Sequence, residues 1–135
     1  MMFELMITTE EIERVIKEYY KNTYDINLEE VSIDNKTQDG LHESVVSKTT
    51  IKVNFKRNIL GKEQLVEQEL DQETIREILA VGLNKDGLEL KSMTYDEGIN
   101  NDWKLSPKNE EYQLTESYFN GIKISFSNQN REKNF

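Results

Sequence analysis

Cysteine is absent from the sequence, which removes disulfides, thiolate zinc sites and thiol nucleophiles from consideration. Histidine, proline, tryptophan and alanine occur once each. The single histidine, His42, lies in a polar link with no G-x-S-x-G or other nucleophile context, so it is read as a solvent-exposed side chain. Neither G-x-x-x-x-G-K-[ST] nor G-x-G-x-x-G occurs, and the familiar phosphate cradles are therefore not encoded. Long apolar runs of about 18 residues are missing too. The opening MMFELMITTEE has no positively charged start, which predicts a soluble, cytoplasmic protein without signal peptide or membrane span.

Positive charge is the other shortage. Acidic residues number 26 against 17 basic ones, giving a formal charge of −9 and a pI near 4.7. Such a field repels phosphates and anionic membranes, so a basic protein partner is expected, with no direct nucleic acid and no membrane. Usage is skewed toward thirteen Lys, thirteen Asn and twelve Ile. AT-rich codons give that pattern, pointing to a low-GC bacterium, its phages or its mobile elements.

What is present suits one folded α+β domain over 1–135, a length that buries most of the unfolded surface. The predicted order is αβββαβ(ββ), a mostly antiparallel sheet of about five to six strands with two helices. Thr8 and Glu11 form a capping box flanked by Ile7 and Ile12 at staple spacing. Ile12, Val15, Ile16 and Tyr19 then make one apolar stripe, predicting a helix from about Thr9 to Asn22. Asp71 caps a second helix with Ile75, Ile78, Leu79 and Leu83 on one face. Val31 and Ile33 mark a short strand, EQLVEQEL a returning one, and LELKSMTY another after the Asp86-Gly87 turn. The fifteen-residue stretch DEGINNDWKLSPKNE shows no period and is read as a loop, a length that is usually functional or disordered. Asn120-Gly121 between YQLTESYF and IKISFS predicts a two-residue hairpin. The tail from 127 to 135 is read as frayed, and no internal repeat is apparent.

Five of the 17 bases fall in SVVSKTTIKVNFKRNILGK, Ser44 to Lys62, which contains no acid. Val45, Ile51, Val53 and Phe55 alternate there with Lys48, Lys52 and Lys56, the pattern of a half-buried antiparallel strand with lysines on its wet face. Pairing with the following strand limits the register to a few choices, and two of them set lysine against carboxylate. One sets Lys56 against Glu63 and Lys52 against Glu67. The other sets Lys52 against Glu69 and Phe55 against Val66. Opposite charges across strands give the lysines a structural cause. Aromatics for base stacking are missing from that face.

No metal or cofactor is expected. EF-hand loops placed on Gly40 or Gly87 would need carboxylates where Val46 and Met93 stand. No catalytic residue is nominated, and a non-enzymatic acidic protein-binding module is the leading expectation. Its partner-contacting residues are Asp96, Glu97, Asp102, Trp103, Glu110 and Glu111, where a lone Trp in a polar loop sits among carboxylates. In general character the profile resembles inhibitors carried by phages and mobile elements, such as anti-CRISPR proteins, and toxin-immunity proteins. That resemblance implies docking on a basic, nucleic-acid-handling protein. The alternative from another class is a structural or assembly protein that forms a homo-oligomer through sheet edges.

Overall fold

In a computed structural model the chain forms six strands and two helices. Residues 1–40, 45–105 and 111–129 are described, with backbone alone for 101–105 and 111–114. His42 lies outside them. The elements run β1 (Met2–Ile7), α1 (Thr9–Tyr24), β2 (Glu30–Asp39), β3 (Val45–Ile59), β4 (Lys62–Leu70), α2 (Gln72–Lys85), β5 (Leu88–Leu105) and β6 (Glu111–Asn128). The α+β class is as the sequence indicates. The strands divide, however, into two antiparallel three-stranded sheets, β1-β6-β5 and β2-β3-β4. No described helix is long and apolar enough to cross a membrane.

Both helices start where their caps are written. Thr8 Oγ1 accepts from the Glu11 amide and Asp71 Oδ1 from the Thr74 amide, each satisfying a donor the first turn leaves free. That amide bond also holds the Asp71 carboxyl below its usual range. The apolar stripes then bury Ile12, Ile16 and Tyr20 on α1, and Ile75, Ile78 and Leu79 on α2. They join Val31, Ile51, Val53, Phe55, Ile122 and Ile124 from the sheets in one core.

The strands depart from expectation in three places. A strand precedes the first helix: β1 pairs with β6, setting Phe3 against Phe126, Leu5 against Ile124 and Ile7 against Ile122. The segment read as a loop continues β5 as far as Leu105. Asn120-Gly121 is no hairpin turn but the interior of β6, where Asp96 pairs with Gly121 and Glu97 with Phe119, so Asn120 bulges. A bulge needs the same backbone freedom as a turn. Gly121 has φ +143, and a Cβ there would meet the Ile7 carbonyl oxygen. The two-residue turn lies elsewhere, at Leu60-Gly61 between β3 and β4, with φ of 55 and 83.

β3 and β4 adopt the second of the two expected registers, Lys52 facing Glu69 and Phe55 facing Val66. Lys52 Nζ lies 3.7 Å from Glu67 Oε1. Charge matching stops there, since Lys56 faces Leu65 and Lys48 faces Lys36 of β2.

The element order shows a duplication that the sequence reading missed: β1-α1-β2-β3 is followed by β4-α2-β5-β6, the same βαββ unit. Ile7-Thr8-Thr9-Glu10-Glu11-Ile12 aligns with Leu70-Asp71-Gln72-Glu73-Thr74-Ile75, cap on cap. Ile51-Lys52-Val53-Asn54-Phe55 aligns with Ile122-Lys123-Ile124-Ser125-Phe126. Pairing confirms the equivalence, because Ile51 lies between Ile33 and Leu70 as Ile122 lies between Tyr95 and Ile7. Each sheet therefore joins the hairpin of one unit to the first strand of the other.

Candidate docking surface

The duplication gives a way to find what is special about one face, because each place has a counterpart. On α1, Tyr19 and Tyr20 occupy the positions that Gly82 and Leu83 occupy on α2. Tyr20 closes its own side: its hydroxyl donates to Gln68 Oε1 of β4 at 2.8 Å, and its ring centroid is 6.4 Å from that of Phe55 on β3. Burial, and then the neighbouring Tyr24 and Tyr19, push the Tyr20 phenol above its usual range, which keeps it a donor.

The counterpart side stays open. Gly82 offers no side chain, and a groove of about 380 Å³ remains between α1, α2 and β1, lined by Leu5, Val15, Tyr19, Val81, Gly82 and Ile124. A Cβ on Gly82 would find Val15 Cγ1 at 3.8 Å, an ordinary contact, so the groove could accept a larger residue. Beside it β1 forms the edge of its sheet. Phe3 and Leu5, which share the inward face with Phe126 and Ile124, are 38% and 48% exposed because the helices do not reach over them. Met2, on the opposite face, is 60% exposed.

Acids slightly outnumber bases around this face. Glu11, Glu18 and Asp86 line the groove with Arg14 and Lys85, and Arg14 is taken by Glu18 at 3.2 Å. Glu11 accepts from the Thr8 hydroxyl. Glu4 on β1 and Asp86 have no side-chain partner among the described residues.

The expected contact residues lie elsewhere, on the β5-β6 hairpin. Asp96 is engaged with β6: Lys123 Nζ lies 3.9 Å from Oδ1, and Asn120 Nδ2 donates to Oδ2 at 3.3 Å. Glu97 accepts from the Thr49 hydroxyl at 2.5 Å, a contact between the two sheets. Asn35 Nδ2 extends it by donating to Thr49 Oγ1 and Ser47 Oγ, a polar belt at the end of the core. The Tyr95 hydroxyl is buried without a partner among the described residues, and its pKa is pushed up to about 12 by that burial, with Glu97 and Asp71 adding to it. Asp102 faces Leu114, Trp103 faces Gln113 and Glu111 faces Leu105 along the ladder. Glu110 lies outside the described residues. The structure thus turns the neighbours Asp96 and Glu97 to different partners and spreads Asp102, Trp103 and Glu111 along the β5-β6 ladder.

Sequence reasoning passed over Leu5, Val81 and Gly82. The signal was there in the paired caps: aligning Thr8 with Asp71 sets Gly82 against Tyr19. Compared with protein-family models, with curated proteins and with solved structures, the chain matches none.

Proposed function

We propose that the protein is a non-enzymatic protein-binding module that docks on a basic partner, in the manner of the inhibitors and immunity proteins its profile resembles. The observation that carries the proposal is the α1-α2-β1 groove, an apolar recess beside a strand edge whose Phe3 and Leu5 stand half-exposed. Contiguous exposed apolar surface rimmed by polar groups is a mark of interaction sites. The chain's −9 charge favours a basic partner and steers its approach.

The test is a pull-down from the native host followed by mass spectrometry, run with the wild-type chain, Leu5→Asp and Trp103→Ala. A basic partner that Leu5→Asp loses supports the proposal through the groove. One that Trp103→Ala loses supports it through the hairpin. If both variants keep every partner, neither surface is used and the proposal fails.

The same β1 edge also favours a second reading, a homo-oligomer assembled by edge-to-edge pairing. Size-exclusion chromatography with light scattering at low and high salt separates the two. A discrete oligomer that persists at high salt would establish assembly in place of basic-partner docking.

A further inference from the structure

We infer that the α1-α2-β1 groove receives an extended segment of a partner protein, added as a fourth strand beyond β1, with apolar side chains alternating with basic ones. The inference rests on the protein-binding reading above and names the partner's chemistry. Three features of the face fix that chemistry.

The first is the main chain. β1 pairs on one side only, with β6, so its other side presents unpaired amide and carbonyl groups to whatever lies there. Another extended backbone can replace water along the whole of such a row, the principle of recognition by strand addition. Among the usual deterrents β1 has neither lysine nor proline, and Glu4 is the one charge in MFELMI.

The second feature is the alternation of faces. Side chains of an added strand point in turn to the two sides of the sheet. Those on the inward side would lie beside Phe3 and Leu5 and enter the groove lined by Val15, Val81 and Gly82, which calls for apolar residues at every second position. The opening left by Gly82 is what admits them. In the other unit the corresponding recess is occupied from within by Tyr20, whose place on α2 is taken by the shorter Leu83 beside Gly82.

The third feature is charge. The residues between the apolar ones would emerge on the other side, which holds Glu4 and also Lys123, the latter engaged by Asp96. The ends of the segment would pass Glu11 and Asp86, with Lys85 beside them. Lysine or arginine at those positions meets carboxylates that lack a cationic partner. A second copy of this chain fits less well: it carries −9 itself, and its β1 offers a glutamate instead of a base.

The experiment uses the full chain and a synthetic peptide alternating valine with lysine and threonine, titrated by calorimetry. Binding in the micromolar range is expected, falling as salt rises. Methylating the peptide's backbone nitrogens along one edge, with side chains unchanged, is expected to abolish it. Leu5→Asp and Gly82→Tyr should each weaken binding about tenfold or more, with the thermal midpoint confirming that the variants fold. Gly82→Tyr restores on α2 the residue that α1 already carries. If the methylated peptide binds as well as the parent, pairing with β1 is not the mode of recognition. If Gly82→Tyr folds and binds like the wild type, the groove is not the receptor. Self-association that Leu5→Asp removes would overturn the inference in favour of a second copy. If the peptide fails to bind while Leu5→Asp still loses a partner in the pull-down, strand addition falls and the protein-binding reading stands.

Discussion

Tyr95 concentrates the conflict between packing and polarity. Its ring belongs to the core beside Phe119, at 5.6 Å between centroids, while its hydroxyl is buried without a hydrogen-bond partner among the described residues. An unsatisfied buried hydroxyl costs about 1–3 kcal/mol. Tyr95→Phe keeps the ring and removes that cost, so urea denaturation at neutral pH should show the variant to be more stable by about 1 kcal/mol. Titration supplies an independent check. The phenol's pKa in the folded chain, about 12, lies above the ordinary value of 10.0 in the unfolded chain, so the neutral form is favoured by folding. That contribution is fully present below pH 10 and is lost as pH rises toward 12. The wild type should therefore lose stability across that window more steeply than Tyr95→Phe. Parallel pH profiles for the two proteins would show that Tyr95 does not titrate there.

Among the elements, the two-residue turn expected at Asn120-Gly121 lies at Leu60-Gly61 for a physical reason. Asn-Gly is the preferred pair for a tight hairpin because both residues tolerate positive φ. At positions 120 and 121 that tolerance serves a bulge in β6, where Gly121 passes close to the Ile7 carbonyl. The tight hairpin is left to Leu60 and Gly61. Leu60 sits at φ 55 and is 95% exposed, so it bears a backbone penalty with no burial in return. Leu60→Asn should stabilise the protein by about 0.5–1 kcal/mol. In urea this appears as a raised midpoint with an unchanged slope; a lowered midpoint would mean that the Leu60 side chain has a contact that outweighs the strain. Local chemistry thus made the helices legible, since caps and stripes act within a few residues. It left open which partner each strand finds. β1 escaped because MFELMI alternates weakly and is recognisable only beside Ile122, Ile124 and Phe126. The stretch from Asp96 to Leu105 escaped because its sequence carries no period, while its backbone pairs along a ladder with β6. The groove was illegible for a related reason: it consists of what Gly82 does not fill, and its meaning comes from the comparison with Tyr19.

At the scale of the molecule, the exchange of first strands decides how the fold comes apart. Neither βαββ unit can complete a sheet alone, because β1 needs β6 and β4 needs β3. The helices tie the halves further, with α1 packed on α2, β2 and β6. Loss of one sheet strips a strand from the other unit and opens the shared core. Two repeats in tandem could unfold in separate steps; two repeats that trade strands should unfold as one. Ile51→Ala tests this from the β2-β3-β4 sheet, where Ile51 is 1% exposed and its truncation should cost about 2–5 kcal/mol. Trp103, the only tryptophan, reports from the backbone of β5 in the other sheet. Its fluorescence midpoint in urea should fall together with the circular-dichroism midpoint and by the same amount. If the fluorescence transition stays at its wild-type position while circular dichroism shifts, the β1-β6-β5 sheet stands without its counterpart, and the exchanged strands do not couple the two halves.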